Sequence, residues 1–147
     1  MSDTAQTLDD TLPEPYRLLP IGPTPDEYLM LRRIGGLGPF SKAAAEVGAR
    51  GHLYAVTLFH GQETIGMGRI IGDGGCFYQI VDIVVSPDHQ GKGLGKAIMR
   101  ALMTFMETQP ATAYVSLIAD LPADKLYEQF GFEPTTPKSI GMARRVP

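Results

Sequence analysis

The chain has little cysteine and no long apolar run. It contains one cysteine and no tryptophan in 147 residues. A lone cysteine, Cys76, cannot form a disulfide within the chain, which is the usage expected in a reducing compartment. No apolar run approaches the roughly 20 residues of a membrane-spanning helix, and the N-terminus lacks a basic segment followed by a hydrophobic one. These absences predict a cytoplasmic protein with no membrane contact.

Excess positive charge is also lacking, since 13 lysine and arginine residues face 16 aspartate and glutamate residues and the net charge is −3. We therefore expect no nucleic-acid partner. The three histidines, His52, His60 and His89, do not have metal-ligand spacing, so we predict no metal site. Length and composition predict a flexible, acidic tail over residues 1–14 and one domain over residues 15–147.

A β-branched segment followed by closely spaced glycines is the most informative part of the sequence. Residues 77–85 read FYQIVDIVV, which favours a buried strand, and Pro87 ends it. From Leu94 onward the apolar residues recur with the period of an α-helix. Between the two, residues 90–95 read QGKGLG. The segment is therefore predicted to be a strand, a glycine-rich turn and a helix.

Glycines at the start of a helix let backbone N–H groups approach an anion closely, and the helix dipole favours negative charge there. Lys92, Lys96 and Arg100 follow at a spacing of four residues, on one side of the helix. Phosphate is the ligand that this pattern favours, and a solvated basic face is the alternative. The spacing fits neither a Walker loop nor a dinucleotide-binding fingerprint.

The segment QGKGLG resembles the Q/R-x-x-G-x-G/A motif of the GNAT superfamily of acetyl-CoA-dependent N-acetyltransferases, including the strand before it and the helix after it. The resemblance implies that the loop holds the CoA pyrophosphate, that the strand binds pantetheine through its backbone, and that a strand N–H meets the oxyanion. Asp120 stands where many relatives have asparagine near the cofactor, and capping a helix is its alternative role. The implied cofactor-binding residues are Ile83, Val84, Val85, Gln90, Gly91, Lys92, Gly93, Leu94, Gly95, Lys96, Asp120 and Tyr127.

Residues 123–132, ADKLYEQFGF, are similar to the second signature of the same family, in which a helical tyrosine precedes a glycine-phenylalanine pair. Tyr127 matches the tyrosine that serves as general acid. Its ordinary pKa of about 10 lies near the ~8.5 of a thiol, so proton donation to a departing thiolate is feasible. The alternative is that Tyr127 is one more aromatic residue packed on a helix.

Asp82 is an unusual residue in an apolar strand, because a buried carboxylate needs partners. We predict that it binds the acceptor amine or acts as general base, with a structural hydrogen bond as the alternative. On an ideal strand it shares a face with Tyr78 and Val84, and a β-bulge would change that register. Tyr78 and Gln79, with Phe40 from a loop, are the further substrate-binding candidates. Arg69 is expected to form a surface ion pair with Asp73 or to line the acceptor site.

The resemblance implies an α/β fold of GNAT type: a mixed, twisted sheet of six to seven strands, with helices on both faces and a splay between the fourth and fifth strands. Thr24 and Ser41 are predicted helix caps. Three consecutive antiparallel strands are expected around residues 52–59, 64–71 and 77–85. A weak last strand is expected over residues 140–145.

The predicted function is acetyl transfer from acetyl-CoA to a primary amine by direct attack in a ternary complex. No cysteine lies in the signatures, so nothing indicates an acetyl-enzyme. Asp82 favours a small cationic amine as acceptor. The alternatives are a protein or peptide acceptor, and a non-catalytic regulatory module that binds acyl-CoA. A homodimer formed through the last strand is an assembly that the resemblance allows.

Overall fold

Five strands and four helices make up the structure, a computed structural model that describes residues 6–147. The strands are β1 (Tyr16–Leu19), β2 (Tyr54–His60), β3 (Glu63–Gly72), β4 (Phe77–Val85) and β5 (Tyr114–Leu117). The helices are α1 (Pro25–Ile34), α2 (Lys42–Gly48), α3 (Leu94–Met106) and α4 (Asp124–Glu128). A 3₁₀ turn, Pro87–His89, connects β4 to the glycine loop, by which we mean residues 90–95.

The strands follow one another across a single sheet in the order β1-β2-β3-β4-β5. The first three pairings are antiparallel and the β4–β5 pairing is parallel, so the mixed sheet and the three-stranded meander are confirmed. The predicted number of strands was wrong. Residues 140–145 form no strand, which leaves five in the described part of the chain. Gly141 lies within that segment and weakens strand formation there, and Pro134 and Pro137 precede it.

Capping side chains fix where α1 and α2 begin, as predicted. Thr24 accepts a hydrogen bond from the N–H of Glu27, whose carboxylate accepts one from the N–H of Thr24, and Pro25 opens α1. Ser41 accepts a hydrogen bond from the N–H of Ala44 at the start of α2. Both helices pack on the same face of the sheet, against Met67 and Val84.

The opposite face carries α3. Its side chains Ile98, Met99 and Leu102 are fully buried against the strands. Burying a side chain of this size contributes about 1.5–3 kcal/mol, so α3 is the main apolar anchor of that face. Gly68 of β3 allows the close approach, because a Cβ there would lie 2.6 Å from Cγ2 of Ile98.

A β-bulge interrupts β4 in the middle. Arg69 pairs with Val81 and Met67 pairs with Val84, so Gly68 faces two residues, Asp82 and Ile83. Asp82 adopts a left-handed backbone conformation with φ of 62°, which aspartate tolerates better than most residues.

Beyond the bulge, even-numbered residues of β4 face the opposite side of the sheet from those before it. Tyr78 and Ile80 pack into the α3 core, whereas Asp82 and Val84 point to the α1 side. The face shared by Tyr78, Asp82 and Val84 on an ideal strand is therefore not formed, because the bulge that was expected to change the register adds one residue to the alternation.

Pairing between β4 and β5 covers only the first part of β4. Phe77–Ile80 pair with Tyr114–Leu117, and no pair with β5 is formed by residues 81–85 among the described residues. The two strands are thus joined at one end, and a cleft lies where the pairing stops.

Residues before β1 contact the domain. The N–H of Leu8 donates to the carbonyl of Leu18 at 2.7 Å, and Asp9 forms an ion pair of 3.0 Å with Arg100. The flexible tail over residues 1–14 stays a prediction, and its first five residues lie outside the described part of the chain.

Candidate active site

A cleft of about 620 Å³ runs along the middle of β4, between α1 and α4. Its floor comes from β4, its far side from β5 and α4, and its near side from α1 and the loop that follows α1. Gln79, Asp82, Asp120, Tyr127 and Phe40 all line it. The structure therefore brings together five of the residues singled out in the sequence, although they come from four separate segments of the chain.

The side chains around Asp82 form an arginine cluster, which consists of Tyr28, Arg32, Arg69 and Asp82. One carboxylate oxygen of Asp82 accepts from Nη1 of Arg32. The other accepts from Nε of Arg69 at 2.9 Å and from the hydroxyl of Tyr28 at 2.8 Å. Side-chain exposure is 3% for Asp82, 7% for Arg69 and 11% for Arg32. The carboxylate is therefore buried with its charge neutralised.

Both arginines are also anchored to the loops around the cleft. Nε and Nη2 of Arg32 donate to the carbonyl of Gly38, at 2.9 and 2.5 Å. Nη1 of Arg69 donates to the carbonyl of Gly48 at 2.6 Å. Burial and the carboxylate of Asp82 raise the pKa of Tyr28, so its hydroxyl stays protonated and remains a donor at neutral pH.

The ring of Phe40 stacks with two guanidinium groups at the rim of the cleft. The centre of the ring is 4.3 Å from Cζ of Arg32 and 5.1 Å from Cζ of Arg145. Nη1 of Arg145 donates to the carbonyl of Pro39 at 2.8 Å. Stacking of this kind is favourable and fixes the loop over α1. Phe40 itself remains 43% exposed.

The glycine loop forms the predicted turn between the strand and the helix. Gly91 and Gly93 have φ of 79° and 77°, in the region that favours glycine. No described atom lies within 4 Å of a Cβ placed at either position, so the surface of the loop is open. The N–H of Ala97 is the first in α3 to reach a helix carbonyl, that of Gly93, and the earlier amides have no acceptor within the helix.

Side chains around the loop hold it to its neighbours. Nε2 of Gln90 donates to the carbonyl of Val85 at 3.0 Å, which ties the loop to the end of β4. Lys92 and Lys96 are exposed, whereas Arg100 pairs with Asp9. Gly95 packs toward Leu126, since a Cβ there would lie 3.6 Å from its Cδ2. The helix that carries Tyr127 therefore lies against the glycine loop.

Tyr127 is half-buried on α4 and lines the cleft. Burial, and then the nearby carboxylate of Asp120, raise the pKa of its hydroxyl above the ordinary value. The phenol is therefore fully protonated at neutral pH and can donate a proton. Asp120 itself is exposed, and no hydrogen bond of its side chain occurs among the described residues.

Three predicted residues have surroundings that the sequence did not indicate. Tyr78 lies in the α3 core, 2% exposed, and its hydroxyl donates to Gln109 at 2.7 Å, so it is not part of the cleft lining. Val84 is buried against α1, and Val85 packs toward α3, so only their backbone could meet a ligand.

Sequence reasoning missed two members of the arginine cluster, Tyr28 and Arg32, and left Arg69 between two roles. Arg69 pairs with Asp82 and lines the cleft, and the carboxylate of Asp73 instead accepts from backbone N–H groups of its own turn. The only signal for Arg32 was that the buried Asp82 needed a cationic partner.

His60, Glu63 and His89 converge although the spacing of the histidines in the sequence did not connect them. Their ligating atoms all lie within 4.8 Å of one another, and the hydroxyl of Tyr16 is 2.7 Å from Nδ1 of His89. The absence of a metal stays a prediction.

No helix formed by the described residues has both the length and the apolar character needed to cross a membrane.

A family model described as Acetyltransferase (GNAT) domain matches residues 39–141. Among solved structures, a protein of unknown function from meticillin-resistant Staphylococcus aureus, described as a probable acetyltransferase, is 45% identical with a TM-score of 0.86. The match covers 89% of this chain and 99% of that one. A glucosamine-6-phosphate N-acetyltransferase from Arabidopsis thaliana shares the fold at 16% identity and a TM-score of 0.65, over 91% of this chain and 100% of that one.

Two curated relatives are similar over part of their length. A histone acetyltransferase from Glycine max is 33% identical over 65% of this chain. A chloroplastic GCN5-related N-acetyltransferase from Arabidopsis thaliana is 36% identical over 49% of this chain. The matched regions amount to 45% and 28% of those relatives, so the chain spans less than half the length of either.

Proposed function

Because the chain belongs to the GNAT family of acetyltransferases, we propose that it transfers an acetyl group from acetyl-CoA to a primary amine, by direct attack in a ternary complex. The observation that carries the proposal is the arrangement around β4. That strand forms the floor of a cleft lined by Tyr127 and Asp82 and then continues into the glycine loop.

The glycine loop is proposed to hold the pyrophosphate of CoA. Its left-handed glycines and open surface leave the first amides of α3 accessible, and the exposed Lys92 and Lys96 add positive charge beside them. The residues assigned to this role are Gln90, Gly91, Lys92, Gly93, Leu94, Gly95 and Lys96.

The open end of the β4–β5 pairing is proposed to take the pantetheine arm. Residues 81–85 have no partner on β5, so the backbone of Ile83, Val84 and Val85 is the proposed contact. A backbone N–H of β4 is proposed to donate to the oxyanion that forms at the acetyl carbonyl. Asp120, at the exposed end of β5, is the proposed contact farther along the cofactor.

Tyr127 is the proposed general acid. The acetyl thioester supplies an activated acyl group, and attack by the amine forms a C–N bond while the C–S bond breaks. The raised pKa of Tyr127 keeps its proton available for the departing thiolate, and the acceptor nitrogen releases a proton to solvent. Tyr127 lines the cleft together with Asp82, so donor and acceptor would meet between them.

The surroundings of Asp82 support the structural role that was left open in the sequence. Its two oxygens already accept from two guanidinium groups and a hydroxyl. We therefore propose that Asp82 is a positioning residue that orients Arg32 and Arg69, and not the general base. A cationic acceptor was expected because Asp82 was taken to offer a free carboxylate. Since that carboxylate is occupied, we propose a small primary amine as the acceptor and no longer require a second positive charge on it.

Phe40 and Gln79 are proposed to contact the acceptor. Tyr28 is proposed as a third contact in place of Tyr78, because Tyr28 lines the cleft and Tyr78 lies in the α3 core. A protein acceptor is the second candidate, and the observation that favours it is the similarity to a histone acetyltransferase. A cytoplasmic location agrees with the exposed, unpaired thiol of Cys76. A homodimer would have to form without the predicted last strand.

The proposal is tested by calorimetric titration of acetyl-CoA into the wild type and Gly93→Asp. The new carboxylate would meet the pyrophosphate, and aspartate at φ of 77° is strained, so we expect affinity to fall at least about 100-fold. Gly74→Asp is the matched control. Gly74 has φ of 82° and equally open surroundings, but it precedes β4 at the opposite end of the strand.

Release of free CoA is then followed with a panel of amines and peptides. Release that depends on an amine would support the enzyme, and its absence with every acceptor would favour a regulatory module that only binds acyl-CoA. Equal binding in the wild type and both variants would show that the glycine loop does not hold the cofactor.

A further inference from the structure

We infer that the acceptor amine carries an oxyanion, a carboxylate or phosphate group, that binds at the arginine cluster. This inference rests on the proposed function and adds the chemical class of the acceptor. The first observation that supports it is the net charge of the arginine cluster. Two guanidinium groups, Arg32 and Arg69, share one carboxylate, Asp82. The side chains of these residues are 11%, 7% and 3% exposed, respectively. One positive charge is therefore left without a counter-charge among the described residues of the cluster.

The rim of the cleft increases this imbalance. Arg145 stacks on the ring of Phe40, as Arg32 does, and is held there by the carbonyl of Pro39. Arg32 and Arg69 thus line the acceptor end of the cleft beside a single neutralised carboxylate, and Arg145 adds a third cationic group next to the lining residue Phe40. The other acidic residue of the lining, Asp120, lies on the β5 side, near Tyr127.

The arginines also retain hydrogen-bonding capacity. Arg69 donates to Asp82, to the carbonyl of Gly48 and, at 3.5 Å, to the hydroxyl of Tyr28. Arg32 donates to Asp82 and to the carbonyl of Gly38. Each guanidinium group has N–H donors beyond these bonds, and planar donors of this kind match the geometry of carboxylate and phosphate oxygens. The existing bonds fix both groups in place before a ligand arrives, so less side-chain freedom is lost on binding.

The same charges act on the amine that reacts. A nearby positive charge disfavours an ammonium ion and lowers its pKa, which increases the fraction of neutral, nucleophilic amine. An acceptor whose second group is an ammonium ion would meet like charge at the same place and bind weakly. The arginine cluster therefore selects for an anionic acceptor and promotes its deprotonation, with no carboxylate base required.

The experiment compares amines that differ only in the group distant from the nitrogen. β-Alanine is matched with propylamine, and phosphoethanolamine with ethanolamine, while 1,3-diaminopropane supplies a second ammonium group. With saturating acetyl-CoA, we expect kcat/KM for CoA release to be at least about tenfold higher for the anionic member of a pair. The pair with the larger ratio distinguishes carboxylate from phosphate. Equal or higher values for the neutral amines or the diamine would overturn the inference while leaving the acetyltransferase proposal intact.

Binding without turnover gives a second reading. N-acetyl-β-alanine, N-acetylphosphoethanolamine and N-propylacetamide are titrated into the protein saturated with CoA. Binding of an anionic acetylamine, with none for N-propylacetamide, supports the inference even where no panel amine is acetylated. Absence of binding by both anionic compounds overturns it. Failure of acetyl-CoA itself to bind would count against the proposed function instead.

Two substitutions locate the anion site. Arg145→Gln changes an exposed residue and is matched by its exposed neighbour, Arg144→Gln, whereas Arg32→Gln removes a charge from the buried cluster. We expect the preference for anionic amines to fall about fivefold or more in Arg145→Gln and Arg32→Gln, with unchanged acetyl-CoA affinity, and to persist in Arg144→Gln. If Arg145→Gln and Arg32→Gln both bound acetyl-CoA normally and kept the full preference for anionic amines, the arginine cluster would not be the anion site.

Discussion

A ligand at the glycine loop would meet backbone amides and exposed lysines, whereas a ligand at the arginine cluster would meet buried, mutually bonded side chains. The loop depends on conformation, since Gly91 and Gly93 must adopt positive φ. The cluster depends on composition, since the buried carboxylate of Asp82 needs its two arginines as partners. Substitutions in the glycine loop should therefore lower the affinity for acetyl-CoA, whereas substitutions in the arginine cluster should also lower the free energy of unfolding.

The largest effect on stability is expected for Asp82→Ala. It leaves two buried guanidinium groups without their carboxylate, which should cost about 3–5 kcal/mol of unfolding free energy. Urea denaturation measures the loss. Asp120→Ala removes an exposed carboxylate from the same cleft and should change stability by less than about 0.5 kcal/mol. Equal losses in the two variants would remove the contrast between cluster and surface.

Tyr127→Phe should act on turnover alone, because Tyr127 lies between the two regions and packs through its ring. Loss of the proton donor should lower kcat about 100-fold or more, with acetyl-CoA affinity and stability nearly unchanged. The wild-type rate should not fall between pH 7 and about 9, since the raised pKa keeps the phenol protonated there. An undiminished kcat would mean that solvent, not Tyr127, protonates the thiolate.

Gly68→Ala tests the close packing of β3 against α3, opposite the bulge that carries Asp82. A Cβ there would lie 2.6 Å from Ile98 and 2.9 Å from Ile83, opposite the bulge that presents Asp82. Overpacking of this kind costs about 1–3 kcal/mol. Gly48→Ala is the control, since nothing described lies within 4 Å of its Cβ and it ends α2. Thermal denaturation of both would decide, and a neutral Gly68→Ala would show that α3 can move aside.

The smallest effect concerns the start of α1, which carries Tyr28 and Arg32. Burial alone would raise the pKa of Glu27, but hydrogen bonds from Thr64 and Thr24 outweigh it and lower the pKa. A lowered pKa gives stability that is present above the unfolded value and lost as pH falls through the folded one. Glu27→Gln should therefore cost about 1 kcal/mol at pH 7 and less at pH 3. A difference independent of pH would exclude ionisation as its source.

The glycine loop could be predicted from sequence because its residues are consecutive and its backbone demands glycine. Thr24, Ser41 and the boundaries of α3 were predictable for the same local reason. Arg32 and Arg69 were not, since they reach Asp82 from other segments and nothing in their neighbourhood distinguishes them from surface arginines. The face of Tyr78 relative to Asp82 depended on whether a bulge is present, which alternation alone could not decide. The sixth strand was expected over residues 140–145, where Gly141 disfavours a strand.

The bulge in β4 can also be viewed as an insertion of one amino acid. Val81 and Asp82 both line the cleft, and on either side of them the residues alternate regularly between the two faces. Deleting Asp82 would leave a regular strand in which Ile80 and Ile83 still face α3 and Val81 and Val84 still face α1. A deletion or insertion of three nucleotides could therefore remove or create the centre of the arginine cluster while the pattern of the surrounding core is preserved.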